Sequence, residues 1–246
     1  MGSIIEVFPR GSRGAASWRA VPLPGRGQVR VRQARLEDYA AIRALQREAA
    51  PALPGATLKQ LESQRQAFAE GQLVATSPEG VVGVASTLVV PWEDHLEGPS
   101  WRMVTADGSF TTHDPQASTL LCAELASADG RGPEVARGLH RTLRRLARKL
   151  NLRRIVAAAR MPGYQRAREE MSPELYVQRV IWGASRDACL QVPLSDGFQY
   201  CGVARNYMPE DVESGGHAAL LVWLNPAYSP TEPPANLEAV RPRKCA

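Results

Sequence analysis

The chain has 246 residues, 44% of them apolar and 22% charged, which is long enough to bury a sizeable core and excludes disordered and fibrous classes. A formal charge of +5 suits an anionic partner but names none. The most apolar run, residues 81–91, is half the roughly 20 residues a membrane helix needs, and Glu6 and Arg10 interrupt any signal-peptide core, so a cytoplasmic protein is expected. The four cysteines, Cys122, Cys189, Cys201 and Cys245, lack metal-ligand spacing and read as free thiols.

In chain order, residues 1–27 are rich in Gly, Pro and Arg and read as an irregular arm. Within it the apolar residues 4–8 are a candidate to extend a partner's sheet edge, which would make a homodimer. Val29 to Arg32 alternates apolar and basic residues, as a half-exposed strand does. A helix follows from Leu36, with Tyr39, Ile42, Leu45 and Ala49 expected on its buried side, and Thr57 N-caps a second helix carrying Leu58, Leu61 and Phe68. Residues 73–76 and 81–90, separated by Ser77-Pro78-Glu79-Gly80, predict a hairpin. Residues 91–117 read as irregular, and 118–127 as a buried strand.

After the loop 128–133 comes the strongest helical pattern. Val135, Leu139, Leu143, Leu146 and Leu150 recur at three- and four-residue steps, opposite a stripe of Arg137, Arg141, Arg144 and Arg148. Residues 155–159 complete a βαβ unit, which favours a parallel strand pair. A helix near 173–184, strands near 198–205 and 217–224 and a Pro-rich tail from 227 finish the chain.

The loop between Ser127 and Val135 opens a helix, whose free N–H groups and positive dipole end form a seat for phosphate oxygens. The Arg stripe lacks interleaved aromatics and faces away from a clean Leu stripe, so a solvated face, or one beside phosphates, is preferred to nucleic-acid binding.

This order of elements resembles the GNAT acetyltransferase superfamily. Residues 101–115 (WRMVTADGSFTTHDP), 144–164 and 197–223 are similar to the acetyltransferase domain found fused to carbon–nitrogen hydrolases. The resemblance implies an α/β GNAT fold over residues 28–226, a mixed sheet of about seven strands with about four helices, and direct transfer of an acetyl group from acetyl-CoA to a small-molecule or protein amine. The superfamily loop pattern Arg/Gln-x-x-Gly-x-Gly/Ala falls on Arg131, Gly132, Pro133, Glu134, Val135 and Ala136, with Arg137 following, so these residues, apart from Pro133, which has no donor, are implied to hold the CoA pyrophosphate. Glu134 departs from the pattern by standing where the middle glycine is usual.

The resemblance further implies Glu124 as the base, a charge on a solvent-side strand position being the plainer alternative, and the N–H groups of Leu125, Ala126 and Ser127 as donors to the thioester carbonyl. The usual acid, a tyrosine ahead of a Gly-Phe pair, falls on Pro193, so Tyr207 is preferred, with Tyr164 and Tyr176 as substitutes. His113 and Asp114 are candidates to shape the acceptor pocket, although a loop histidine with its hydrogen bonds satisfied is the plainer reading. The rival expectation is a non-catalytic GNAT-like module that binds acyl-CoA or another protein.

Overall fold

The computed structural model describes residues 28–92, 99–128 and 132–231; the arm at 1–27 and the tail beyond 231 lie outside them. In chain order the elements are β1 (Arg30–Gln33), α1 (Tyr39–Ala49), α2 (Leu58–Phe68), β2 (Gln72–Ser77), β3 (Gly80–Val90), α3 (Trp101–Thr105), β4 (Thr119–Ser127), α4 (Gly132–Lys149), β5 (Arg154–Ala159), α5 (Pro173–Ile181), α6 (Ala188–Ser195), β6 (Gln199–Ala204) and β7 (Ala218–Leu224). The strands form one sheet in the order β1-β2-β3-β4-β5-β7-β6. Every neighbouring pair is antiparallel except β4–β5, the pair that the βαβ pattern predicts to be parallel.

Both faces of the sheet are covered. The Leu stripe of α4 does what its period predicts: Val135, Leu139, Leu143 and Leu146 are buried against Ala75, Ala85, Leu120 and Ile155 of the strands. Each such leucine contributes roughly 1.5–3 kcal/mol on burial. On the other face, Tyr39, Ile42 and Leu45 of α1 pack with Val74 and Val84, and Val104 and Phe110 join Leu121, Val156 and Leu220. Thr57 caps α2 as expected, accepting from the Gln60 N–H while the Gln60 side chain accepts from Thr57 N–H. No helix among the described residues is long and apolar enough to cross a membrane.

Three local expectations need correction. The described residues hold six α-helices, where about four are expected. The first addition, α3, lies in the stretch read as irregular. It is too short to show a period and is set by its ends: Ser100 accepts from Met103 N–H, and Ala106 leaves the helix at φ 48°. The second, α6, contains Pro193. Asp187 caps it through Cys189 N–H, and Leu190 is fully buried, so capping and packing hold a helix that proline alone argues against. Third, Ala49 is exposed, and the polar Gln46 takes the buried place on α1.

Candidate functional site

β4 and β5 run together only as far as the pair Cys122 and Ala157. Beyond it Ala158 and Ala159 continue with β7, while β4 continues with β3, so the parallel strands part and leave the β5-facing edge of β4 from Ala123 onward without a strand neighbour among the described residues. A β-bulge lies at the parting point: Ser86 pairs with Glu124 and Thr87 with Cys122, leaving Ala123 as the extra residue. The bulge resets the alternation. Leu125 packs into the core under α4, whereas Ala126 packs with the α1 cluster and the Glu124 carboxylate meets α1.

Glu124 accepts a 2.7 Å hydrogen bond from Gln46 Nε2. Desolvation pushes its carboxyl from the ordinary 4.5 up to about 7, against the opposing pull of the Gln46 donor. A carboxyl that titrates near neutrality is matched to taking a proton from an ammonium group at physiological pH. Cys122, one turn of the pleat earlier, donates from Sγ to the Glu124 carbonyl oxygen at 3.4 Å, and burial pushes its thiol up to about 12, so it stays protonated.

Tyr207 approaches the same strand through α3. The Trp101 N–H donates to the Tyr207 carbonyl oxygen at 2.7 Å, and the Trp101 indole Nε1 donates to the Ala123 carbonyl oxygen at 3.2 Å, beside Glu124. Arg102 and Glu210 pair across the same junction. The Tyr207 ring is buried among Leu88, Phe110, Leu121 and Ala123, and its hydroxyl is enclosed with no hydrogen-bond partner among the described residues. Burial first, and the neighbouring Cys122 second, push this hydroxyl above its ordinary range, so it stays protonated. The substitutes are already engaged: Tyr164 donates to Met171 O and Tyr176 to Asp187 Oδ2.

The phosphate loop is described only in part, because Arg131 lies outside the described residues. α4 starts at Gly132, and Pro133, which has no N–H, occupies a first-turn position where none is needed. Counted from Gly132, the Gly132 and Glu134 amides fall among the donors a helix leaves free, whereas those of Val135 and Ala136, expected to hold phosphate, lie where intrahelical bonding has begun. Val135 anchors this turn. A Cβ on Gly83 would stand 2.2 Å from Val135 Cγ1, so only glycine at 83 lets the helix start lie this close to β3. At the strand end of the loop, a Cβ on Gly132 would stand 3.3 Å from Ser127 Oγ, so the two ends approach closely. Glu134 is exposed. Arg137 is already 3.4 Å from Asp196 Oδ1, so its charge is shared with a carboxylate that the sequence reading did not pair with it.

His113 follows the plainer reading. Its Nδ1 accepts the Val89 N–H at 3.0 Å, its ring stacks on Phe68, and burial lowers its proton affinity. The Arg stripe is less uniformly solvated than expected, since the Arg144 guanidinium lies over the Phe198 and Trp223 rings. Two site residues escaped the sequence reading. Gln46 carried a usable signal, a polar residue four positions after Ile42 on an apolar helix face; Trp101 carried none beyond its place in a resembling stretch.

No family model matches the chain. The Bacillus subtilis protein "Uncharacterized N-acetyltransferase YkwB" is 30% identical over 170 residues, covering 69% of this chain and 75% of that protein. The chain belongs to the GNAT family of N-acetyltransferases. The Bacillus subtilis "Probable hydrolase YhcX" is 29% identical over 203 residues, which is 82% of this GNAT chain; the chain spans only 40% of YhcX's length. Among solved structures, the GphF GNAT-like decarboxylase in complex with isobutyryl-CoA superposes with a TM-score of 0.67 at 24% identity, covering 79% of this chain and 98% of that one. The loading GNATL domain of CurA from Lyngbya majuscula gives 0.63 at 13% identity, covering 80% and 98%. A GNAT superfamily phosphinothricin acetyltransferase from Sinorhizobium meliloti in complex with acetyl-CoA gives 0.50 at 13%, covering 85% and 94%. At these identities the superpositions establish the fold.

Proposed function

We propose that this chain moves an acetyl group from acetyl-CoA to an amine by direct attack, with Glu124 as the base and Tyr207 as the proton donor to the departing sulfur. The observation that carries the reading is Glu124 itself: a desolvated carboxyl near neutrality, on a strand bulge, where β4 parts from β5. The chain's donors suit the cofactor. The free edge of β4 offers the Leu125 and Ser127 N–H groups for a carbonyl oxygen, the Ala126 N–H facing β3 instead, and the first turn of α4 offers the Gly132 and Glu134 amides, with the Arg137 charge, for a pyrophosphate.

When bound, acetyl-CoA supplies an activated acyl carbon. Glu124 accepts the proton that the amine sheds as its nitrogen bonds to that carbon; Tyr207 gives its hydroxyl proton to sulfur as the carbon–sulfur bond breaks. Burial keeps the Tyr207 hydroxyl protonated, so its proton is in place when the carbon–sulfur bond breaks. Acceptor identity is assigned to the segments 51–72, 91–117 and 161–171 of the sequence.

A non-catalytic reading draws on two observations: Glu134 brings negative charge to the first turn of α4, and Arg137 is shared with Asp196. The experiment that separates them is CoA release from acetyl-CoA across a panel of small and peptide amines, with Glu124→Gln as control. Amine-dependent release that the control loses supports catalysis; release from no amine, or equal release by the control, refutes the assignment.

A further inference from the structure

Gln46 is a long polar side chain on the apolar face of α1, only 4% exposed, and both ends of its amide are engaged. Its Oε1 accepts the Ala56 N–H at 2.9 Å. The carbonyl oxygen of the same residue, Ala56, accepts from Arg43 Nε at 3.1 Å. Gly55, at φ +56°, turns the chain back over the helix, with the nearest Gln46 atoms 3.5 and 3.6 Å from where its Cβ would stand. A backbone donor therefore takes the carbonyl end of the amide and leaves only the NH2 end for Glu124, at 2.7 Å. Since an N–H group donates most strongly to an ionised oxygen, this contact favours the carboxylate in a place where burial favours the acid.

We infer that Gln46 is a positioning residue, which fixes the Glu124 carboxylate in one orientation and keeps it able to ionise inside the protein. The catalytic half of this inference rests on the proposed role of Glu124 as base. Few other groups compete for control of Glu124. Its β3 partner Ser86 is uncharged, α3 contributes the uncharged Trp101 next to the bulge, and Arg43 on α1 is committed to Ala56. On β4, the Cys122 thiol is the titratable neighbour, and it is protonated across the working range.

The test uses the full chain carrying Gln46→Met, which keeps side-chain length and removes the donor, and Gln46→Glu, which replaces the donor with a second carboxyl. Carbon-13 carboxyl titration of glutamate-labelled protein, with the Glu124 signal assigned by its loss in Glu124→Gln, reads the ionisation directly. Wild type is expected to titrate near 7. Gln46→Met is expected to raise that midpoint by about one to two pH units, on the scale of one hydrogen bond to a charged group. Gln46→Glu is expected to give two steps, the upper one above the wild-type midpoint. The acidic limb of the kcat/KM profile for CoA release, with the best amine of the panel, is expected to move with the Met variant's midpoint. A midpoint that stays within a few tenths of wild type in both variants overturns the inference, whatever happens to thermal stability. A shifted midpoint with an unmoved kinetic limb upholds the Gln46–Glu124 coupling and overturns Glu124 as the base.

Discussion

Glu124→Gln separates the electrostatics of the site from knowledge of the acceptor. The folded carboxyl titrates at about 7 against an ordinary 4.5, so the fold prefers the neutral acid. The sign follows from linkage: the contribution of the neutral group is fully present below about pH 4.5 and is lost as the pH rises through about 7. Above that window wild type holds a desolvated charge at a cost of about 3 kcal/mol, an upper figure from the pKa difference. The glutamine side chain keeps the shape, can still accept from Gln46 and never ionises. The variant is therefore expected to match wild type near pH 4.5 and to exceed it by up to about 3 kcal/mol at pH 8. Guanidinium denaturation of both proteins at pH 4.5, 6 and 8 measures this, since other titrating groups cancel in the difference. Amine-dependent CoA release is expected to fall about 10²–10⁴-fold in the same variant. A stability difference that does not grow with pH would refute the description of Glu124 as a desolvated carboxyl.

Tyr207→Phe removes a hydroxyl that has no partner among the described residues, so stability is expected to hold or rise by about 1 kcal/mol while CoA release falls at least tenfold; a destabilised variant of full activity contradicts this. Gly83→Ala drives a methyl into Val135 Cγ1 and is expected to destabilise by about 1–3 kcal/mol and weaken acetyl-CoA binding, both read by calorimetry. Arg160→Ala strips Asp211 of two 2.7 Å hydrogen bonds and leaves a buried carboxylate uncompensated, with about 3–5 kcal/mol of destabilisation expected by chemical denaturation. In Arg160→Met with Asp211→Asn, much of that loss is expected to return.

All seven strands were legible as alternating or apolar runs, β2 and β3 being parted by Ser77-Pro78-Glu79-Gly80, and α4 announced itself through five apolar positions on one face. α3 and α6 were not. The first is shorter than two turns, and the second contains a proline whose local cost is outweighed by the Asp187 cap and the burial of Leu190. Glu124 could be read as a charge inside an apolar strand, but its environment could not, since Gln46 lies 78 residues away in sequence. The same holds for Arg137, whose partner Asp196 is brought to it by the packing of α6 on α4. Tyr207 was named from chain position alone; what distinguishes it from Tyr164 and Tyr176 is an enclosed hydroxyl with no partner among the described residues, a property only tertiary packing creates.

The central claim is that the opened edge of β4 and the first turn of α4 form a working acyl-CoA site. Calorimetric titration of the full chain with acetyl-CoA and free CoA at moderate salt tests it most directly. Micromolar binding of both is expected. Absence of binding up to millimolar ligand would contradict it and leave Glu134 and the Arg137–Asp196 pair as marks of a GNAT domain that works without the cofactor.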